Sequence, residues 1–540
     1  MNRRSFIKNT GLYAAAMSPL ARVGGILGLA SATSLSANSF GNYKAIVIFD
    51  MDGGNDAMNM FPPTVKSTHD IYKSIRTNLG VELVDLYSDE FYKVDANQHF
   101  SASLGANQPY FVPLDPADDH TNEPVTDTEF GKEAMYIKGS YDTQEGLGIH
   151  ALMPEFASLY KKGVLSIASN TGVLIEPTTK AGIDNGSANL PEFLFSHGNQ
   201  RELIATLQAG QTGGKSGWAG RLADSWQVND SLGLNISYGG STKTFMGLAT
   251  SALIMGTNGP TSYSSNWSME KFDDLLIGFA DNAQDTNIFD RFTNMINKKT
   301  ATLSKELTTT WEGAPVFNSL NSYGEPLFTL YTGNGTTRDN LGIRTHHGLD
   351  KRIFLQLEST AKMIKVSKDD LNVERQVFYV RQAGHDVHGK QVDTHSKLMR
   401  AISLGISDFY KALEEMGLEK DVLLVGTSEF GRTMRNNGDG TDHGWGGHSF
   451  MLCGDPEFNG GKVFGDVLTD LSFEGVNAYT NRARIIPTTS IEQMLAPALN
   501  WFGVDEPTMA NVLPNLSNFR SDANDVESAY LQGVFGTLPT

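Results

Sequence analysis

Three stretches of the sequence combine glycines with carboxylates and histidines, and these residue types could bind a divalent metal ion. The most informative stretch is T-S-E-F-G-R-T-M-R-N-N-G-D-G-T-D-H-G-W-G-G-H-S-F over 427–450, in which Asp442 adjoins His443 and His448 follows five residues later. Carboxylate oxygens and imidazole nitrogens are ligands of zinc-like and manganese-like ions. A solvated Gly/Asn turn with incidental histidines is the alternative. Loops at strand ends carry functional sites disproportionately, and this favours a site.

The other two stretches also follow apolar runs. They are D-M-D-G-G-N-D at 50–56 and G-H-D-V-H-G at 384–389. Taken alone, the Asp-Gly-Gly turn could simply end a strand. The C-terminal ends of parallel strands share one edge of a sheet, and ligands bind there. Three such loops therefore predict a common site more strongly than any one of them does.

The elements that must position these loops alternate between strands and helices. Short apolar runs predict strands at 43–49, 164–168, 376–380 and 421–426. Helical spacing of apolar residues predicts helices at 150–162, 287–307, 351–366, 394–416 and 490–502. This alternation predicts an α/β fold with a mainly parallel sheet covered on both faces. We expect one domain over 38–517, with insertions near 64–143 and 229–345, and a weakly patterned tail over 518–540.

The first residues predict export. The run N-R-R-S-F-I-K at 2–8 precedes an apolar Ala/Gly-rich segment, so we expect a twin-arginine signal peptide over 1–37 that engages the Tat export machinery. Arg22 interrupts the apolar segment, which argues against a membrane anchor, and we expect no membrane span after signal removal. The expected location is the periplasm or the extracellular space.

Composition excludes several classes of partner and ligand. The formal net charge of −18 argues against binding to nucleic acid or anionic lipid, and no basic stripe offsets it. Cys453 is the single cysteine, so an intramolecular disulfide and cysteine ligation of a metal are both excluded. We expect Cys453 to be a buried apolar residue.

A set of motifs runs through nearly the whole chain. They are G-G-N-D at 53–56, S-H-x-x-Q at 196–200, G-W-x-G-R-L-A-D at 217–224, D-x-H at 386–388, S-E-F-G-R-T at 428–433 and G-x-G-x-D-H-G-W-G-G-H at 438–448. Together with the twin-arginine start they resemble the domain-of-unknown-function family 1501, which is grouped with the alkaline phosphatase and sulfatase superfamily. The resemblance implies an alkaline phosphatase-like three-layer sandwich with a mainly parallel central sheet and loop-rich insertions. It does not imply an established reaction.

The same resemblance implies a ligand set. Members of the superfamily hold one or two metal ions with Asp, His and adjacent Asp-His ligands at successive strand ends. Carried over to this sequence, the ligands are Asp56, Asp386, His388, Asp442, His443 and His448. Asp56 is preferred to Asp50 and Asp52 because it lies within the G-G-x-D motif. Zinc is the first choice of metal, with manganese or calcium as alternatives, and two such ions about 3.5–4 Å apart would bind a tetrahedral oxyanion.

The resemblance also suggests catalytic groups. Ser196 is the best match to the superfamily nucleophile, although it lies far from the first strand and lacks the sulfatase-type C/S-x-P-x-R motif. His197 could be a ligand, an orienting base or a residue that merely flanks a helix. Arg432 has the fork geometry that suits a substrate oxyanion. Glu429 could be a ligand or could pair with Arg432, and we expect the pairing.

The sequence therefore predicts an exported metal-dependent hydrolase of a phosphate, sulfate or phosphonate ester, whose substrate is a small molecule or is linked to a polymer. The alternative is a non-catalytic secreted module with a degenerate metal site. In that case the Gly/Ser/Thr/Asn-rich insertions would bind a polymer or another exported protein. Convergence of the ligands, with Ser196 directed at them, would favour catalysis.

Overall fold

The computed structural model describes residues 40–87, 136–137, 139–211, 215–226, 233–250, 252–260, 272–282, 288–322, 325–329, 349–480 and 482–536. The predicted signal peptide lies outside the described residues, as does most of the insertion predicted near 64–143. None of the helices in the described part of the chain is both long enough and apolar enough to cross a membrane.

Strands and helices alternate along the described chain. The strands are β1 Lys44–Asp52, β2 Ser140–Asp142, β3 Gly148–His150, β4 Leu165–Gly172, β5 Asn235–Ser237, β6 Leu253–Ile254, β7 Arg375–Ala383, β8 Val422–Ser428, β9 Arg432–Asn436, β10 Thr441–His443, β11 Gly447–Cys453, β12 Val463–Phe464, β13 Ala478–Tyr479, β14 Arg484–Ile485 and β15 Thr489–Ser490. The helices are α1 Ala57–Met60, α2 Lys66–Arg76, α3 Pro154–Lys162, α4 Lys180–Asp184, α5 His197–Thr206, α6 Trp218–Trp226, α7 Phe272–Asn282, α8 Ile288–Trp311, α9 Lys351–Asp369, α10 Gln391–Met416, α11 Ile491–Phe502 and α12 Glu506–Val512.

The central sheet has nine strands in the order β12-β4-β11-β8-β1-β7-β5-β6, and β15 also pairs with β4. β1 pairs in parallel with β7 on one side and with β8 on the other. β11 is antiparallel to both of its neighbours, β4 and β8. The remaining pairs of this sheet are parallel. The predicted α/β class with a mainly parallel sheet is therefore confirmed.

Apolar clusters cover both faces of the sheet. Side chains alternate along each strand, so neighbouring residues of one strand contribute to opposite clusters. On β1, Ala45, Val47 and Phe49 belong to an apolar cluster that includes residues of α3, α9 and α10. Ile46 and Ile48 belong to the cluster on the opposite face, which includes residues of α6, α11 and α12. Burial on both sides is why β1 reads as a nearly continuous apolar run.

The structure departs from the sequence-based expectations in several places. The stretch 427–450, predicted as a loop after one strand, contains β9 and β10 and the start of β11. β5 and β6 lie within the predicted insertion at 229–345 but extend the central sheet. These strands have two or three residues each, too few to show a periodic pattern. Leu531 and Val534 of the predicted tail are buried in an apolar cluster. Cys453 is buried, as predicted.

A buried ion pair ties α3 to α10. Arg400 donates from Nη1 to Glu155 Oε2 at 2.5 Å and from Nη2 to Oε1 at 2.8 Å, and both side chains are almost fully buried. Ser403 Oγ donates to Oε2 at 2.7 Å. Burial alone would raise the pKa of Glu155, but Arg400 and the hydroxyl donors outweigh it and lower the pKa to about 2.

We predict that Glu155→Gln destabilises the fold by about 3–5 kcal/mol near neutral pH, because it removes the buried carboxylate that accepts two hydrogen bonds from the Arg400 guanidinium. The folded-state pKa lies below the ordinary value, so the stabilising contribution is present above about pH 4.5 and is lost as the pH falls toward 2. The difference between variant and wild type should shrink over that window. Urea unfolding followed by circular dichroism at a series of pH values measures it.

Asp70→Asn is the matched control, because Asp70 pairs with Lys66 on the exposed surface of α2. We expect this change to cost less than about 0.5 kcal/mol at any pH. Equal losses in the two variants would contradict the role assigned to the buried pair.

Candidate metal centre

Asp386 lies at the centre of a cluster of histidines on the carboxyl edge of the sheet. Its Oδ1 is 2.9 Å from His388 Nε2 and 3.2 Å from His443 Nε2. Its Oδ2 is 3.3 Å from His197 Nε2. His388 Nε2 and His443 Nε2 are 2.9 Å apart. The loop after β7, the strand β10 and the first residue of α5 thus bring three imidazole Nε2 atoms to one carboxylate.

The opposite nitrogen of each ring contacts an acceptor. His443 Nδ1 is 2.8 Å from the carbonyl oxygen of Phe195, which can only accept, so Nδ1 carries the proton. His197 Nδ1 contacts Glu429 Oε1, and His388 Nδ1 is 3.3 Å from Asp442 Oδ1. The protons of His443 and His197 are therefore on Nδ1 and their Nε2 atoms present lone pairs, and His388 Nε2 does the same when the His388 proton is on Nδ1. These lone pairs face the oxygens of Asp386, which are also acceptors.

Acceptors that face one another repel unless a cation lies between them. His197 Nε2 is buried and finds no hydrogen-bond donor among the described residues. Ligand atoms of His197, Asp386 and His443 all lie within 4.8 Å of one another. Imidazoles whose second nitrogen donates to a carboxylate or a carbonyl are the usual ligands of a protein-bound metal ion. These two imidazoles and one carboxylate are zinc ligands by type, and His388 Nε2, 2.9 Å from both Asp386 Oδ1 and His443 Nε2, would supply the fourth.

The charges of the cluster also suit a cation. Burial acts to raise the pKa of Asp386, but the hydrogen bond from Arg432 and the charge of that guanidinium outweigh it, and the pKa falls to about 2. Burial lowers the pKa of His443 from its ordinary value. Near neutral pH the carboxylate is therefore ionised and the imidazole is neutral, the states in which both bind metal.

Arg432 holds the backbone behind the cluster. Its Nε donates to Gly54 O at 2.6 Å, and its Nη2 donates to Gly53 O at 2.7 Å, to His385 O at 2.8 Å and to Asp386 Oδ1 at 2.7 Å. Its side chain is almost fully buried. These backbone contacts make Arg432 a positioning residue. The sequence suggested that the Arg432 guanidinium binds a substrate oxyanion, but in the structure it is buried and bonded to the chain itself. The expected pair between Glu429 and Arg432 is also wrong, because Glu429 contacts His197 and Arg201.

Two glycines allow this close packing at the end of β1. Gly53 has φ +118°, and a Cβ at that position would lie 2.5 Å from the backbone nitrogen of Asp386. Gly54 has φ +84°, and a Cβ there would overlap the ring of Phe430. Side chains at either position would therefore separate the loop after β1 from its neighbours.

Phe195 and Ser196 precede the first residue of α5. Phe195 has φ +74°, a conformation that is uncommon for a residue other than glycine, and its carbonyl bonds to His443 Nδ1. Ser196 is the N-cap of α5, and its Oγ accepts a hydrogen bond from Asn199 Nδ2 at 3.1 Å. The strained backbone thus positions a metal-ligand candidate, while the Ser196 hydroxyl contacts its own helix.

Three of the predicted ligands have other surroundings. Asp56 accepts two hydrogen bonds from Arg76 in a buried ion pair and a third from Gln391. His448 is buried on β11, where its Nδ1 accepts from the Asn170 N–H at 3.1 Å. Burial lowers the pKa of His448 to about 4, so it is a neutral core residue.

Asp442 lies behind a ligand candidate. It contacts His388 Nδ1 and the guanidinium of Arg482. Asp442 thus orients the His388 ring through Nδ1 and is not itself placed as a metal ligand. Asp386, His388 and His443 of the predicted ligands do converge, and His197 joins them.

Two arginines near the cluster, Arg201 and Arg381, were not singled out from the sequence. Arg201 Nη2 is 2.7 Å from Asp52 Oδ1, and its Nε is 2.6 Å from Glu429 Oε2. Arg381 pairs with the other oxygen of Asp52. Arg201 is four residues after His197 on α5, one helical turn away, and that spacing is the signal that could have drawn attention to it.

Part of the chain matches a known family. Residues 369–504 match the model of the family described as a protein of unknown function (DUF1501). The resemblance to this family is confirmed over that stretch, which includes Asp386, His388 and His443 but not His197.

Two solved structures show similarity at low identity. One is described as the crystal structure of Ps i-CgsB in complex with k-i-k-neocarrahexaose; it is 13% identical over 71% of this chain and 69% of that chain, with a TM-score of 0.27. The other is described as the crystal structure of Ps i-CgsB; it is 12% identical over 68% and 72% of the two chains, with a TM-score of 0.28. TM-scores this low do not establish a shared fold. No curated protein matches the chain.

We predict that Gly53→Ala destabilises the protein by about 3 kcal/mol or more and also weakens metal binding, because the added Cβ meets the backbone at Asp386. The matched control is Gly186→Ala. Gly186 also has a positive φ, +74°, but a Cβ there meets open space, so only the conformational cost of about 1–2 kcal/mol is expected. Denaturant unfolding and zinc titration of both variants check this. Equal effects of the two changes on zinc affinity would contradict the packing argument.

Proposed function

We propose that this protein is a metal-dependent hydrolase of phosphate, sulfate or phosphonate esters, and that His197, His388, His443 and Asp386 hold its divalent ion. The observation that supports the metal most directly is the set of three imidazole Nε2 atoms directed at one ionised carboxylate, with the three Nδ1 atoms turned toward acceptors. Zinc is the preferred ion because nitrogen donors dominate the set.

The chain's own residues would orient the ligands. Glu429, Asp442 and the Phe195 carbonyl each fix the tautomer and the direction of one imidazole. Arg432 fixes the carboxylate. A divalent ion bound there would polarise an ester oxygen and lower the pKa of a coordinated water.

An anionic ester would find positive charge beside the centre. Arg484 Nε donates to the His443 carbonyl at 2.8 Å, and its guanidinium lies 4.0 Å from the centre of the Phe195 ring. Among the described residues no carboxylate bonds to Arg484, so its charge is not neutralised by direct contact. Arg482 follows the same edge and contacts Asp442. In a chain of net charge −18, this local cationic edge supports an anionic substrate.

The nucleophile in this proposal is a water molecule. The described hydrogen bond of the Ser196 side chain goes to Asn199, and among the described residues neither a histidine nor a carboxylate bonds to its hydroxyl. Activation of a serine nucleophile needs an adjacent base or a metal contact. We therefore assign Ser196 a place next to the centre without covalent catalysis.

The finer fold assignment and the location belong to the same proposal. The mainly parallel sheet with helices on both faces and a site at its carboxyl edge supports an alkaline phosphatase-like sandwich. The twin-arginine motif at 2–8 supports export to the periplasm or beyond, and the substrate would then be met outside the cytoplasm.

We predict that the protein, purified after dialysis against zinc, retains about one tightly bound ion per chain in elemental analysis. His443→Ala should abolish this binding, since it removes a ligand. Glu429→Gln should leave every ligand in place but weaken zinc affinity by about 10–100-fold, because the imidazole of His197 loses its carboxylate acceptor.

His69→Gln is the control for these variants. His69 is a buried histidine whose Nε2 contacts the Val81 carbonyl at 2.8 Å, outside the cluster. It should retain the zinc content of the wild type. Unchanged zinc content in folded His443→Ala would remove the proposed centre.

We predict hydrolysis of at least one of 4-nitrophenyl phosphate, 4-nitrophenyl sulfate and 4-nitrophenyl phenylphosphonate by the zinc-loaded protein. Arg484→Gln should raise KM by about tenfold, since a charge-assisted hydrogen bond to the anion is lost. Ser196→Ala should keep kcat within about tenfold. Arg520→Gln, on the segment after α12, is the control for loss of an arginine charge. A complete loss of turnover in Ser196→Ala would contradict the water nucleophile.

A further inference from the structure

A cavity of about 380 Å³ adjoins the candidate metal centre at the carboxyl ends of β7, β1 and β8. Its walls come from α5, from the N-terminal end of α6, from the segment 241–244 and from α11. This volume lies near the lower end of the range for small-molecule sites, roughly 300–1,000 Å³. Glu429 lines the cavity and also contacts His197, so one side chain separates the two sites.

Strand register determines the cavity floor. Ile48 of β1 is aligned with Tyr379 of β7 and with Val425 of β8. Two residues further along each strand, side chains return to the same face. The second row there consists of Arg381, Asp50 and Thr427. The floor therefore changes from apolar and aromatic to polar as the strands approach their carboxyl ends.

The arginine and lysine charges around this cavity are already paired with carboxylates. Arg201 contacts both Asp52 and Glu429. Arg381 contacts Asp52. At the outer wall, Lys243 Nζ is 2.6 Å from Glu202 Oε1. Each of these cations thus already has a carboxylate neighbour, which reduces the net positive charge that the cavity offers to an anionic ligand.

The groups that remain for a ligand are polar and carry little charge. Tyr379 donates its hydroxyl to Asp50 Oδ2 at 2.5 Å. Burial raises the pKa of Asp50 to about 7, so a protonated carboxyl is populated at neutral pH and can donate as well as accept. The Thr427 hydroxyl also lines the cavity, and no described residue forms a hydrogen bond with it. Donors and acceptors thus stand beside the apolar row of Ile48 and Val425.

We propose that this cavity binds a neutral polyhydroxylated ring, such as a sugar or cyclitol, that forms the alcohol part of the ester cleaved at the metal centre. Such a ring offers hydroxyls to the polar row and C–H groups to the apolar row, and it leaves the ion pairs intact. An apolar ligand would leave the polar row without partners. This inference rests on the proposed function, for which it names the substrate class.

The position of α5 links the two sites. His197 is the first residue of this helix, Gly198 lines the cavity, and Arg201 contributes to the wall one turn later. A ring held in the cavity therefore lies against the helix that presents a metal-ligand candidate. Cavity and centre would bind the alcohol part and the anionic part of one substrate, respectively.

The test is isothermal titration calorimetry of the full-length zinc-loaded protein with methyl α-glucopyranoside and with myo-inositol. Glucuronate, glucosamine and cyclohexanol serve as the anionic, cationic and apolar probes. We expect at least one neutral polyol to bind and the other probes to bind more weakly. Thr427→Val and Tyr379→Phe should each weaken polyol binding by about threefold to tenfold, since each removes one hydroxyl from the cavity.

Tyr43→Phe is the matched control. Its hydroxyl donates to Gln376 at the opposite end of the sheet, outside the cavity, so polyol binding should not change. Ala205→Phe should abolish polyol binding by filling the cavity, and the two hydroxyl variants keep the test decisive if this one does not fold. Absence of polyol binding, or tighter binding of glucuronate, glucosamine or cyclohexanol, overturns the inference.

His443→Ala separates this inference from the proposed function. It removes a metal ligand but does not line the cavity, so polyol binding should persist without zinc. A protein that binds zinc but no polyol would retain the metal centre and refute only the cavity assignment. A protein that binds polyols but no zinc would refute the metal centre, and the link from ring to ester would then be lost.

Discussion

The buried guanidinium of Arg432 is the interaction on which the site depends. It joins the carbonyls of Gly53 and Gly54 after β1, the carbonyl of His385 after β7, and the carboxylate of Asp386. An arginine charge buried to this extent is tolerated only when its donors are satisfied, so these loops must converge on it. The same contacts hold the pKa of Asp386 low and fix its direction toward the histidines. Arg432 therefore contributes both to the stability of the fold and to the geometry of the candidate site.

Glu429 and Arg201 join the candidate centre to the cavity. Glu429 accepts from His197 on one side and from Arg201 on the other. Arg201 continues the chain of contacts to Asp52 at the end of β1. These contacts balance the charges of the cavity wall and hold the ring of His197 in one orientation. An ion pair of the cavity wall and the orientation of the His197 ring consequently rely on the same carboxylate.

Short apolar runs and the alternation of strands with helices were enough to predict the α/β class and the edge of the sheet where the candidate site lies. The three polar loops at strand ends predicted a common site, and the family resemblance suggested Asp386, His388 and His443 among its ligands. The sequence could not reveal that Asp56 pairs with Arg76 or that His448 faces Asn170, since burial and distant partners decide those roles. A tighter use of the two-residue period of β1 would have placed Ile48, Asp50 and Asp52 on one face, and with them the cavity floor. The burial of Arg432 has no comparable signal in sequence.

The central claim is that three imidazoles and one carboxylate bind a single divalent ion. X-ray absorption spectroscopy at the zinc edge, on protein loaded with one equivalent of zinc, tests it most directly. The account predicts imidazole scattering with zinc–nitrogen distances of about 2.0–2.1 Å and at least one oxygen ligand, with a reduced imidazole contribution in His388→Ala. A shell of oxygen ligands alone, or a spectrum unchanged in that variant, would contradict the account.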